Sequence, residues 1–170
     1  MATLPILIAP DPLLKRKAQP VERVDEHVRK LMEDMLETMY AAPGIGLAAP
    51  QVGVLDRIIV VDVADKGEPP APLRLANPEI LWFSEELAQS NEGCLSLPEH
   101  YADVVRPRAV RVRYLDETGE SREIEADGLL ATCLQHEIDH LDGVLFVDHL
   151  SMLKRNMIMR KLQKQKKVNA

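Results

Sequence analysis

The chain has 170 residues, 46% of them hydrophobic and 28% charged, the balance of an ordinary globular protein with enough apolar material for one core. No apolar run approaches the length of a membrane span, which excludes a transmembrane protein of the helical kind. The net charge of −6 is unevenly spread: residues 151–170 carry Lys154, Arg155, Arg160, Lys161, Lys164, Lys166 and Lys167 and no acidic group, so an acidic body bears a basic tail that suits an anionic partner.

The opening stretch M-A-T-L-P-I-L-I-A-P-D-P lacks a basic start and is interrupted by Pro5 and Pro10, so it does not read as a secretory signal or transit peptide. Cys94 and Cys133 then suit metal or thiol chemistry in a reducing cytoplasm better than a disulfide. Leu4 to Val24, rich in proline, is expected to be irregular and to wrap the core. Asp25 to Ala41 is the first helix, with Asp25 as its cap and Val28, Leu31, Met32, Met35, Leu36 and Met39 at helical spacing. Its methionines are core packing rather than a ligand set. Pro43-Gly44 ends it.

Residues 44–53, G-I-G-L-A-A-P-Q-V-G, fit a dinucleotide-binding fingerprint in letters only. That fingerprint needs a strand before it and a helix after it; here a helix precedes, and Pro50 falls where the helix should run. What the stretch offers is bare backbone at Gly44 and Gly46, against which a substrate can lie, and one polar side chain, Gln51, among apolar ones. Arg57 to Val63 reads as a buried strand and Leu73 to Phe83 as another, broken at Asn77-Pro78. Asn91 to Pro98 reads as a short turn carrying Cys94. Asp103 to Pro107, Ala109 to Leu115 and Ser121 to Ala126 read as strands, the last two joined by a hairpin at Asp116-Glu117-Thr118-Gly119.

Leu129 to Gly143, L-L-A-T-C-L-Q-H-E-I-D-H-L-D-G, is the helix the chain is built around, with Asp127 as cap and Gly143 as stop. Residues four apart share a face, about 6 Å apart along the axis, so His136 and His140 can grip one metal ion with Glu137 beside them to handle protons. Leu130, Leu134, Ile138 and Leu141 form an apolar stripe, while Leu129 and Cys133 extend the histidine face. A connector at Phe146 to Leu150 leads to a final helix from Met152, its apolar Leu153, Met157, Ile158 and Leu162 opposed by basic residues. Strands and helices outside any β-α-β order indicate an α+β fold with antiparallel sheet, in a single domain spanning 1–170.

A catalytic metal needs a third protein ligand and an open position. The pattern H-E-x-x-H-x-x-G-x-x-H would put a histidine at 146, which is Phe, and no glutamate follows Glu137, so the common zinc-protease arrangements do not fit. Cys133 lies seven residues from His140, about 10.5 Å along a helix, too far to share the ion with both histidines. That leaves Cys94, His100 and His149.

Three stretches together settle the comparison: G-I-G-L-A-A-P-Q (44–51), E-G-C-L-S (92–96) and Q-H-E-I-D-H (135–140), in this order and spacing, resemble the three motifs of peptide deformylases. The resemblance covers nearly the whole chain. It implies an α+β fold of antiparallel sheets around a central metal-binding helix, with a C-terminal helix at about 151–170. It implies a metal held by Cys94, His136 and His140, natively Fe²⁺ and replaceable by Zn²⁺, Ni²⁺ or Co²⁺. The implied reaction removes the N-formyl group from the initiator methionine of new proteins. Glu137 would serve as acid and base, and the Gln51 side chain and Leu95 N–H as oxyanion donors. Gly44, Gly46 and their neighbours would pair with the peptide, and Ile45, Glu92, Leu129, Thr132 and Cys133 would wall the methionine pocket. Thr132 and Tyr101 depart from residues common in the family. The resemblance also suggests that the basic C-terminal helix docks on the ribosome near the tunnel exit, and that the protein works as a cytoplasmic monomer. A general metallopeptidase and a non-enzymatic ribosome-binding protein are the competing classes; the missing downstream ligands oppose the first, and the intact Glu137 with only three protein ligands opposes the second.

Overall fold

The computed structural model describes residues 2–65 and 67–168; the side chains of Lys166, Lys167 and Val168, which include two of the tail's basic groups, lie outside the described set. Helix α1 is Glu26–Ala41, and its start is fixed by Asp25, whose side chain accepts a hydrogen bond from the Val28 N–H. Val28, Met32, Met35, Leu36 and Met39 are buried, so the methionine stripe packs. Strand β1 (Gly46–Ala48) runs into a 3-10 turn at Ala49–Val52, then β2 (Ile58–Val61) and β3 (Leu73–Phe83). The glycine stretch is therefore a strand ending in a proline-containing turn.

Strand β3 runs through Asn77-Pro78, where a break was expected from the sequence. The proline is absorbed by a bulge: pairing shifts between Ala76 and Glu79, and Asn77 takes φ +50°. The Asn77 side chain stabilises the distortion by accepting from the Val21 N–H and donating to the Val21 carbonyl.

The larger departure is at β4 (Leu87–Cys94) and β5 (Leu97–Pro107). The sequence reading puts Asn91 to Pro98 in a turn and starts a strand at Asp103. In the structure the turn shrinks to Leu95-Ser96, and the two strands form a hairpin that ends at Cys94 paired with Leu97. The inward positions of β4 are Ala88, Ser90 and Glu92, small or polar, so its alternation carries no apolar signal. Strands β6 (Ala109–Leu115) and β7 (Ser121–Asp127) form the expected hairpin, with Asp116 Oδ1 accepting from the N–H groups of Thr118 and Glu120.

Helix α2 is Gly128–Leu141. Asp127 precedes it but makes no side-chain capping bond, contrary to expectation. Its end is as expected: Gly143, at φ +75°, donates to the His140 carbonyl while Val144 donates to that of Asp139. Five strands pair antiparallel in the order β1-β2-β3-β6-β7, and β4-β5 stand apart as a second sheet. Strand β2 is buried on both faces. Ile58 and Val60 pack with the α1 methionines, whereas Ile59 and Val61 pack with Leu134, Ile138 and Leu141 of α2. The fold is thus α+β, with α2 held between the large sheet and the β4-β5 hairpin.

Helix α3 (Met152–Val168) docks by Ile158, Met159 and Leu162, the last fully buried beside Leu14, Leu97 and Phe146. Of the four apolar residues expected on one face, Leu153 and Met157 are exposed together with Met152. Arg155, paired with Asp148 at 2.8 Å, takes the inward place three residues before Ile158. No described helix is long and apolar enough to cross a membrane.

Candidate active site

Helix α2 places His136 and His140 on one side, one turn apart, with ring centroids 5.0 Å apart. The β4-β5 hairpin brings Cys94 to them, its Sγ 3.3 Å from His140 Nε2. One ligand atom from each of Cys94, His136 and His140 lies within 4.8 Å of the others, the one such group of metal-ligating side chains among the described residues. The other two candidates point elsewhere. His149 Nε2 donates to Asp139, and the buried His100 Nε2 finds no partner and lies outside the cluster. Cys133 Sγ faces the Ile45 carbonyl at 3.6 Å, and burial, reinforced by the charge of Glu137, pushes its thiol well up, so it stays protonated.

These residues fit a divalent transition metal. Two imidazoles and a thiolate are the donor set of a borderline-soft ion, and three protein ligands leave a position open for chemistry. His136 uses Nδ1 to donate to Glu92 Oε1 at 2.9 Å, which leaves Nε2 free as ligand. Burial, with His136 and Arg106 nearby, holds His140 well below its ordinary value and so neutral, the ligating form. Burial opposes charge on His136 too, but Glu137 and the hydrogen bonds with Cys94 and Glu92 outweigh it and push that ring well up; the surroundings favour a cation at this spot. Glu137 is buried, and its Oε1 has no partner. Burial pushes its carboxyl up to about 7, with His136 pulling the other way and the Glu92 charge adding to the rise.

A residue that the sequence reading left unassigned holds the two halves of this site together. Arg106 of β5 is buried and donates to both oxygens of Glu92, at 2.6 and 2.9 Å, and to Asp139 of α2 at 2.8 Å. Burial works to raise the Glu92 carboxyl, but the bonds from His136 and Arg106 overcome it and hold it at about 2. The signal was present in the strand alternation, which puts Arg106 in step with buried Val104, an inward arginine that calls for carboxylate partners.

The cluster lies at the base of a cleft of about 800 Å³. Gly44, Ile45 and Gly46 line one side of it; Glu92, Cys94 and Leu95 line another; Leu129, Thr132 and Cys133 line the helix side with His136 and Glu137. The Glu92 carboxylate, expected as a pocket wall, is turned to Arg106 and His136. A Cβ on Gly46 would meet Glu137 Oε2 at 2.5 Å and Cys133 Sγ at 2.8 Å, so only glycine lets β1 lie this close to α2. Gln51 is buried, and its Oε1 accepts from the Ala48 N–H at 3.0 Å. Tyr101 stands at the rim, 67% exposed. Ile6 and Ile8 of the irregular N-terminal arm also line the cleft, and no periodicity in that segment points to it.

A profile of the polypeptide deformylase family matches residues 3–156 of this chain. The peptide deformylase of Methylocella silvestris is 61% identical over all of this chain and 88% of that protein, and that of Phenylobacterium zucineum is 57% identical over 98% of this chain and 99% of that one. Among solved structures, peptide deformylase from Ehrlichia chaffeensis superposes with a TM-score of 0.94 at 42% identity, covering 99% of each chain. The same protein in complex with actinonin gives 0.93 at 44% identity over 97% of this chain and 98% of that one. With the Cys-His-His cluster and its buried glutamate on α2, these likenesses lead to one conclusion: the chain belongs to the polypeptide deformylase family.

Proposed function

We propose that Cys94, His136 and His140 hold one divalent metal ion, Fe²⁺ in the cell and Zn²⁺, Ni²⁺ or Co²⁺ in purified protein, and that Glu137 is the acid–base residue beside it. The protein is a metal-dependent hydrolase that removes the N-formyl group from the formylmethionine of newly made polypeptides, releasing formate. The bound ion supplies Lewis-acid polarisation of the formyl carbonyl and of the attacking water. Glu137 takes a proton from that water as its oxygen bonds to the formyl carbon. It then gives the proton to the methionine nitrogen as the C–N bond breaks. A carboxyl lifted to about 7 is suited to both transfers. The Gln51 amide and the Leu95 N–H are the proposed donors to the oxyanion. Strand β1 is the edge of its sheet, so Gly46, with Gly44 just before the strand, offers backbone for an extended peptide to pair with. Ile45, Leu129, Thr132 and Cys133 flank the methionine side chain, while Glu92 steadies His136. Residues 1–170 act as one catalytic domain, as a monomer in the cytoplasm.

The observation that carries this reading is the convergence of three ligand atoms within 4.8 Å beside an unpartnered buried glutamate. Its test separates the two cysteines. Cys94→Ala is expected to lose the metal and formate release from formyl-Met-Ala-Ser, while Cys133→Ala keeps one metal per chain by elemental analysis. The reverse pattern would overturn the ligand assignment. Acetyl-Met-Ala-Ser serves as the control for a general amidase.

A ferrous ion beside a thiolate is open to oxidation. Protein purified in air is expected to lose most of its activity within hours, and anaerobic or Ni²⁺-loaded protein to keep it. Equal activity after both treatments would exclude iron as the working metal.

Lys154, Arg160, Lys161 and Lys164 of α3 are exposed and form a basic face suited to ribosomal RNA phosphate. Reversing Lys154, Lys161 and Lys164 to Glu is expected to abolish salt-sensitive co-sedimentation with ribosomes and leave hydrolysis of short formyl peptides within about twofold. Unchanged co-sedimentation would assign the face to solvent. Truncation is a poorer test, because Leu162 closes a core cluster.

A further inference from the structure

Ser96 ends the second motif, is completely buried in the two-residue turn after Cys94, and has no assigned part in the chemistry. Its hydroxyl oxygen accepts from Gln51 Nε2 at 3.1 Å. The other end of that amide is pinned independently: the Ala48 N–H can only donate, so the atom it meets at 3.0 Å is Oε1, and Nε2 must face Ser96 and Cys94. Nε2 carries two hydrogens. One goes to Ser96; the other is directed to the metal side, where Cys94 Sγ lies 3.4 Å away. The N-terminal arm ties the same two residues together, Leu7 N–H donating to the Gln51 carbonyl at 2.7 Å and Ala9 N–H to the Ser96 carbonyl at 2.8 Å.

We propose that Ser96 is a positioning residue: it locks the Gln51 amide so that its second N–H is aimed at the developing oxyanion before substrate arrives. A terminal amide torsion is broad and turns easily, and a donor that must reorient during the reaction loses much of its stabilising effect. Ser96 and Ala48 remove that freedom by occupying one hydrogen and the oxygen, so the second hydrogen, which meets Cys94 Sγ at 3.4 Å, is held on the metal side of the cleft. This rests on the reading of Gln51 as an oxyanion donor and adds the group that orients it.

The test is a double-mutant cycle on zinc-loaded protein, following formate release. Gln51→Ala is expected to lower kcat about a hundredfold, the scale of one oxyanion donor. Ser96→Ala is expected to lower kcat about tenfold with KM within about twofold, because one donor is loosened rather than removed. Once Gln51 is Ala, adding Ser96→Ala should cost nothing more. Ser96→Cys, nearly the same size with a weaker acceptor, is expected to fall between wild type and Ser96→Ala, and it stands in if the alanine variant does not fold. The resonance of the Gln51 side-chain amide proton bound to Ser96 should shift in the variant, more than that of its geminal partner. Equal fractional losses from Ser96→Ala with and without Gln51, or an unchanged kcat with Gln51→Ala impaired, would overturn the positioning role. An unimpaired Gln51→Ala would instead overturn the oxyanion reading beneath it.

Discussion

Glu137→Gln is expected to lower kcat by about a thousandfold while the protein keeps its metal and its fold, within the range that a positioned acid–base group supplies. The substitution is isosteric and leaves Cys94, His136 and His140 untouched, so elemental analysis should still find one metal per chain. The carboxyl is buried, one oxygen is unpartnered, and burial raises it to about 7, so it gains little in stability from being a carboxylate in the resting protein. In the proposed mechanism its charge serves proton transfer. The expected signature is a loss of kcat with KM little changed. A variant with near-normal turnover would remove Glu137 from the mechanism.

Arg106→Met is expected to cost about 3–5 kcal/mol of stability, the usual loss when one partner of a buried ion pair is deleted and the other charge is left behind. Arg106 and Glu92 are both about 5% exposed, so water does little to screen the pair. The same change should weaken zinc binding by about 10–100-fold, because a Glu92 without its guanidinium no longer fixes the ring of His136. Denaturant unfolding of zinc-loaded protein and competition with a chelator measure the two effects. Arg106→Lys keeps the charge but cannot span both Glu92 oxygens and Asp139, so it should restore stability only in part. If Arg106→Met were as stable as wild type, the hairpin and helix would be joined by packing alone.

Much of the site was legible from residue identities, and the reasons differ by residue. His136, Glu137 and His140 lie within five residues on one helix, so the 3.6-residue period alone determines their relative placement. The rejection of Cys133 as ligand follows from the same arithmetic. Cys94 was one of three open candidates by spacing, because its separation from His140 spans 46 positions and no local rule covers it. Its assignment waited on the motif resemblance and on the β4-β5 hairpin, whose tip, Asn91 to Pro98, reads as a longer turn in the sequence than it is. Ser96 and Arg106 likewise act between separate elements, 45 residues from Gln51 and 33 from Asp139, and Asp127 makes no capping bond.

The sequence by itself determined the class of the protein: an α+β chain, a helix with two metal-ligating histidines and a glutamate beside them, and the family these motifs signify. Those features are local, set by helical period, proline and glycine geometry and side-chain chemistry. Only the tertiary structure decided that Cys94 rather than His100 or His149 meets the histidines, that Glu92 turns from the pocket to His136, and that Arg106 clasps hairpin to helix. It also decided which face of α3 is buried. Each of these depends on how separate elements pack, where burial makes an unpaired charge costly and so selects partners far apart in the chain.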